Sequence, residues 1–242
     1  NNTDNNNNNN DNGIELNNDL FDDDSNYIYL SETPCKLETI QANNDENEMN
    51  KIPCKRFSFC SCIYEDKLYI FGGRSSKANF ITVDNNLYYF DLIDRKWDIK
   101  RKPKAPNFVP NSLTGATAII YNNRMYIFGG YNVRYSSDLL IYDFKDNIWT
   151  KKVFENGEIH PQRRWHYSIS LYKDKFYLFG GTMDRTHFND LWEFDLKTFK
   201  WKEIIYRYNT NNKIRPRRRH KSVIYNDELY IFGGREEITS FN

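Results

Sequence analysis

The stretch YIFGG at Tyr69–Gly73 recurs as YIFGG at Tyr126–Gly130 and Tyr230–Gly234, and as YLFGG at Tyr177–Gly181. Strand-forming residues that end in paired glycines are costly, because glycine loses more backbone freedom on folding than any other residue. Four copies either bind something four times or meet one geometric demand four times. The first glycines of the pairs, Gly72, Gly129, Gly180 and Gly233, are separated by 57, 51 and 53 residues, and Gly73, Gly130, Gly181 and Gly234 follow them. No copy continues into the Lys-Ser/Thr of a phosphate loop or opens a helical pattern, so nucleotide binding is unsupported.

Two further marks keep the same step. LYYFDLIDRKW, LLIYDFKDNIW and LWEFDLKTFKW end at Trp97, Trp149 and Trp201, 52 residues apart each time, with Asp91, Asp143 and Asp195 six positions earlier. Upstream, Pro53, Pro110, Pro161 and Pro216 each precede a short apolar run ending in Tyr. Self-similarity at this period is the mark of a repeat architecture, so the glycines are structural. Each unit reads as four short antiparallel strands: YSISLY, KFYLFG, DLWEFDL and KWKEI in the third, joined by polar turns. The expected fold is therefore all-β, a β-propeller whose tryptophans fill the gaps between blades.

The Gly-Gly pair, the aromatic-Asp and the Trp about twenty residues after the glycines resemble the kelch-repeat family, over residues 51–242. The units are expected at 53–101, 110–152 and 161–205, with an incomplete one at 216–242, giving three full blades and part of a fourth. The second unit departs from the pattern, with Leu113 and Gly115 where the third has Arg164 and His166. The chain starts at Asn1 and ends eight residues after Gly234, which reads as a piece of a longer propeller, six-bladed by the resemblance. Residues 26–50 are expected to hold a β-hairpin of a closing blade, within Asn26–Ile40, followed by a linker.

Residues 1–25 form an Asn/Asp-rich, low-complexity stretch expected to be disordered. Residues 1–50 carry a net charge of −11 and residues 51–242 a net of +12, within a chain of net +1. The acidic tail is a natural competitor for a basic face, although a terminus that touches nothing is equally in keeping with its composition. Mean hydropathy of −0.83 and the lack of a long apolar run exclude a helical membrane span. Four cysteines without framework spacing point to a reducing, cytoplasmic location.

The positive charge falls on one face. After the glycine pairs stand Arg74, Arg134, Arg185 and Arg235, and the links between units carry Arg56, Arg163, Arg164, Arg215, Arg217, Arg218 and Arg219. Arg74, Arg134, Arg164, Arg185, Arg218 and Arg235 are the candidate partner-binding residues, because the planar guanidinium suits bidentate contact with carboxylate or phosphate. A link arginine can equally be a packing element with a satisfied head group. His166 and His220 read as repeat-equivalent, Cys60 and Cys62 as core or shell residues on one strand, and no cofactor or metal is implied.

These features point to a protein-interaction module, not an enzyme, that binds an acidic or phosphorylated protein segment. The resemblance implies service as a scaffold or as a ubiquitin-ligase substrate receptor. The alternative it carries is the propeller of a copper-radical oxidase resembling galactose oxidase, which needs two histidines, two tyrosines and a cross-linked cysteine. Nucleic acid is disfavoured because no aromatic platform interleaves with the basic residues, and nothing marks a small-molecule substrate.

Overall fold

The computed structural model describes residues 27–29, 34–36, 39–75, 84–100, 108–155, 157–206, 214–236 and 239–240; the acidic stretch 1–25 lies outside them. The chain divides into two compact units, Asn1–Gln41 and Ala42–Asn242. In the first, Tyr27–Tyr29 pairs antiparallel with Pro34–Lys36 as a hairpin.

The second unit holds the repeats. Three four-stranded antiparallel sheets follow one another, each in sequential strand order. The first blade is Cys60–Tyr64, Lys67–Phe71, Leu87–Asp91 and Lys96–Lys100; the second is Ala118–Tyr121, Arg124–Phe128, Leu139–Asp143 and Ile148–Lys152. The third is Ser168–Tyr172, Lys175–Met183, Thr186–Asp195 and Lys200–Ile204. In the fourth, Lys221–Tyr225 pairs with Glu228–Phe232, and Arg235–Glu236 with Thr239–Ser240. The residues expected to be linker contact the first blade. The Asn44 side chain donates to the Trp97 carbonyl and accepts from the Trp97 N–H, tying residues 42–51 to the outer strand.

The core lies between blades. Trp149 of the second blade packs at 5.0 Å from Phe71 of the first, and Trp201 of the third at 5.0 Å from Phe128 of the second. Burying such a side chain stabilises the stack by about 3 kcal/mol. The repeat aspartates shape the outer hairpin. Asp91, Asp143 and Asp195 each accept N–H bonds from the residues two and three positions on. Those backbone N–H groups hold Asp91 and Asp195 below the ordinary carboxylate range, and for Asp143 the Arg124 guanidinium does so first.

The glycine pairs answer a demand made by the neighbouring blade. Gly73, Gly130 and Gly181 donate their N–H groups to the carbonyls of Leu113, Arg164 and Arg217 in the next link, at 2.8, 2.9 and 2.9 Å. Such a close approach leaves no space for a side chain: a Cβ on Gly129 would lie 2.8 Å from the Arg164 oxygen, and one on Gly180 2.9 Å from the Arg217 oxygen. Both residues also have positive φ, +62° and +61°. A second seam runs beside the first. Gly115 N–H donates to Ser58 O, His166 N–H to Gly115 O, and Arg219 N–H to His166 O, joining the four blades through one link position.

Gly129→Ala should therefore cost on the order of 2–4 kcal/mol, combining positive-φ strain with a clash against backbone. Gly157→Ala is the control: φ is +97° there, but nothing lies within 4 Å of the added Cβ. Its cost should be near 1 kcal/mol. Urea melts of the two variants check the difference, and equal losses would show that the seam is not what the glycine serves.

Candidate binding face

The link arginines divide into two populations. Arg164 is fully buried. Its Nε donates to Gln162 O at 2.9 Å and its Nη1 to Gly180 O at 2.9 Å. The fork then grips Asp190 bidentately at 2.6 and 2.8 Å, with Phe188 covering the guanidinium at 4.1 Å. Arg164 thus cannot reach a partner, which corrects its assignment as a binding residue. Arg56 and Arg217 sit at the same repeat position and donate to Gly72 O and Gly233 O, each at 3.0 Å. Arg56 also pairs with Asp84 at 3.1 Å. All three close the turn formed by their own blade's glycine pair.

The remaining sequence-selected arginines do not form one row. Arg134 and Arg185 are exposed on the hairpins beyond the second and third glycine pairs. Arg74 and Arg235 directly follow their glycines and bridge by backbone to Phe57 and Arg218. The structure brings Arg74, Arg218 and Arg235 together with Arg219, which the sequence-level selection omitted. Their charges converge on His166, and they crowd one another. Burial first, then Arg219, Arg218, Arg235 and Arg74, lowers the His166 pKa to about 3. Arg219 is itself held below the ordinary arginine range, by burial first and then by Arg235, Arg218 and Arg74.

Among the described residues none of these four arginines forms an ion pair, and the Nε groups of Arg218 and Arg235 are buried without a hydrogen-bond partner. Like-charge crowding in a partly wet site costs on the order of 1 kcal/mol per pair, which an anion would relieve. Beside the cluster stands an aromatic shelf. Trp165 stacks on His166 at 4.0 Å, with Tyr131 at 5.3 Å and Tyr135 at 6.1 Å from the indole. The expectation that no aromatic platform accompanies the basic residues is thereby corrected.

Register could have revealed Arg219. Ser58, Gly115, His166 and Arg219 all have positive φ and repeat the 57, 51 and 53 spacing of the glycines. By that register His220 matches Tyr167, not His166. The Cβ atoms of Tyr167 and His220 lie against Gly181 and Gly234 in the same way. His220 Nε2 donates to Phe179 O at 3.1 Å, and burial, outweighing that bond, lowers its pKa to about 4.

Substitution and titration separate the two populations. Arg164→Ala should destabilise by ~3–5 kcal/mol by leaving Asp190 without its partner, whereas Arg134→Ala should change stability by less than ~0.5 kcal/mol. Both histidines are kept neutral in the folded chain, while an unfolded histidine gains a proton below about pH 6.5. Between that pH and the folded values the unfolded state binds more protons, so stability falls as pH falls. Urea midpoints should drop steadily from pH 7 to pH 4.5, roughly the window so defined, with a shallower slope in His220→Gln.

The family model described as the KLHDC2/KLHL20/DRC7 Kelch-repeats domain matches residues 21–240. Kelch domain-containing protein 3 of Rattus norvegicus is 30% identical over 197 residues, covering 76% of this chain and 48% of the relative. Kelch domain-containing protein 1 of Mus musculus is 26% identical over 211 residues, covering 76% and 50%. Leucine-zipper-like transcriptional regulator 1 of Homo sapiens is 28% identical over 159 residues, covering 64% and 18%. The chain spans about half the length, or less, of these relatives. The solved structure of YjhT superposes with a TM-score of 0.60 at 17% identity, over 74% of this chain and 59% of that one, and so shares the fold. With its glycine-pair seams, its inter-blade tryptophans and a family match spanning most of its length, the chain belongs to the kelch-repeat family.

Proposed function

We propose that the propeller is a protein-interaction module that binds an acidic or phosphorylated segment at the arginine cluster around His166. The observation that carries this reading is the convergence of Arg74, Arg218, Arg219 and Arg235 without a counter-carboxylate among the described residues. Two of these arginines have buried Nε donors that lack an acceptor. A carboxylate or phosphate would supply that acceptor through charge-assisted hydrogen bonds. The Trp165–Tyr131–Tyr135 shelf adds the aromatic anchors on which binding hot spots are built. Exposed Arg134 and Arg185 serve as rim charges that steer encounter more than they hold the complex. A role as scaffold or ubiquitin-ligase substrate receptor in the cytoplasm fits such a module.

The oxidase alternative gains no support from the side chains. Burial pushes the Cys60 thiol well above the ordinary range and Cys62 up to about 12, so neither is a reactive thiol. No helix of the described residues is long and apolar enough to cross a membrane.

The test is fluorescence anisotropy with a library of acidic and phosphorylated peptides, with a single-stranded oligonucleotide as comparison. The double variant Arg218→Glu/Arg235→Glu should weaken peptide binding by more than about 100-fold, the loss of two hydrogen bonds to charged groups. Binding should also fade as salt rises above about 0.15 M. Unchanged peptide affinity in the double variant, or binding of the oligonucleotide alone, would refute the reading.

A further inference from the structure

The repeat register exposes a missing side chain. The first, third and fourth blades place Arg56, Arg164 and Arg217 at one position, each donating to the carbonyl of its own first glycine. The second blade has Leu113 there. A solvent-open cavity of about 410 Å³ lies at that place, and Leu113, Asn111, Ser136 and Asp138 all line it.

Each of these four matches a member of the Arg164 nest. Asn111 stands two residues before Leu113, as Gln162, whose carbonyl accepts from Arg164 Nε, stands two before Arg164. The Ser136 carbonyl would lie 3.2 Å from a Cβ on Gly129, as the Phe188 carbonyl would lie 3.1 Å from one on Gly180. Asp138 precedes the Leu139↔Phe128 pair, as Asp190 precedes Leu191↔Phe179. The cavity is therefore an arginine nest without its arginine. It keeps the aspartate that grips the guanidinium in the third blade, and it has aromatic walls in Phe108 and Tyr135. Asp138 has only a loose substitute partner, Lys151 at 3.6 Å, and both side chains are about one-third exposed.

We propose that this cavity accepts an arginine side chain of the partner, supplying in trans the guanidinium that the other blades supply themselves. Its recognition is by Asp138 and the backbone acceptors, with aromatic faces alongside. Arg134 and Arg163 also line the cavity and oppose a cation, but both are exposed and free to turn outward into solvent. The inference does not rest on anion binding at the His166 cluster, since none of its arginines lines the cavity.

The test is NMR titration of the 242-residue chain with Nα-acetyl-arginine methylamide, with the lysine and phosphoserine analogues alongside. The arginine analogue should shift the amides of Leu113, Ser136 and Leu140, and the lysine analogue should do so less. Asp138→Asn should weaken the response. Leu113→Arg should abolish it while raising the melting temperature, because the blade then fills its own nest. Lys151→Ala discriminates by sign: it frees Asp138 and should tighten arginine binding about two- to fivefold, the range an exposed ion pair is worth. A ligand bound as an anion would instead lose affinity. Shifts from the phosphoserine analogue alone, weaker arginine binding in Lys151→Ala, or an undiminished response in Leu113→Arg would each overturn the proposal.

Discussion

A backbone amide donated from one blade to the link of the next is the contact on which this architecture depends. Gly73, Gly130 and Gly181 each make it, and the preceding glycine of each pair must be bare for the receiving carbonyl to approach. Hydrophobic burial between blades is larger in total, but it is non-directional and would tolerate sliding. The amide contacts remove that freedom. They fix each blade against the next in register, so Trp149 meets Phe71 and Trp201 meets Phe128 in the same way. The link arginines reinforce the same seam from the other side, by satisfying the carbonyl of the first glycine in each pair that they serve.

The periodic part of this was legible in residues alone. A glycine pair, an Asp and a Trp repeated at one step leave few alternatives to stacked four-stranded sheets. What could not be read was the fate of individual arginines. Arg164 and Arg218 look alike in sequence, both being link arginines among other arginines. Yet one has Asp190 and a glycine carbonyl within reach, and the other faces only like charges. The difference lies in partners 16 to 26 residues away, whose direction no local pattern reports. The His166 and His220 equivalence failed by a single residue, and in a strand-and-link repeat a one-residue slip changes which side a side chain faces. The glycine spacing contained the correction, because 53 residues from His166 lead to Arg219.

Charge on this propeller is consequently of two kinds. Buried arginines are structural, paired and insensitive to salt. Those crowded around His166 are unpaired and pull down the basicity of their neighbours, Arg219 included. A site of this second kind stores electrostatic free energy in the absence of ligand and releases it on binding an anion. In the proposed binding mode, relief of that repulsion is what would let a small surface discriminate between an acidic and a neutral segment.

The second seam runs through Ser58, Gly115, His166 and Arg219, residues with nothing chemical in common. Only their main-chain atoms, at positive φ, make the row of hydrogen bonds. The blades therefore agree on a backbone shape there, and the second blade also needs a bare residue, since a Cβ on Gly115 would lie 2.9 Å from His166 Cδ2. Three of the four blades place a polar side chain at that position, Ser58, His166 and Arg219. At the other three blades the chemistry of that position can change while the hydrogen-bonded seam beneath it stays the same.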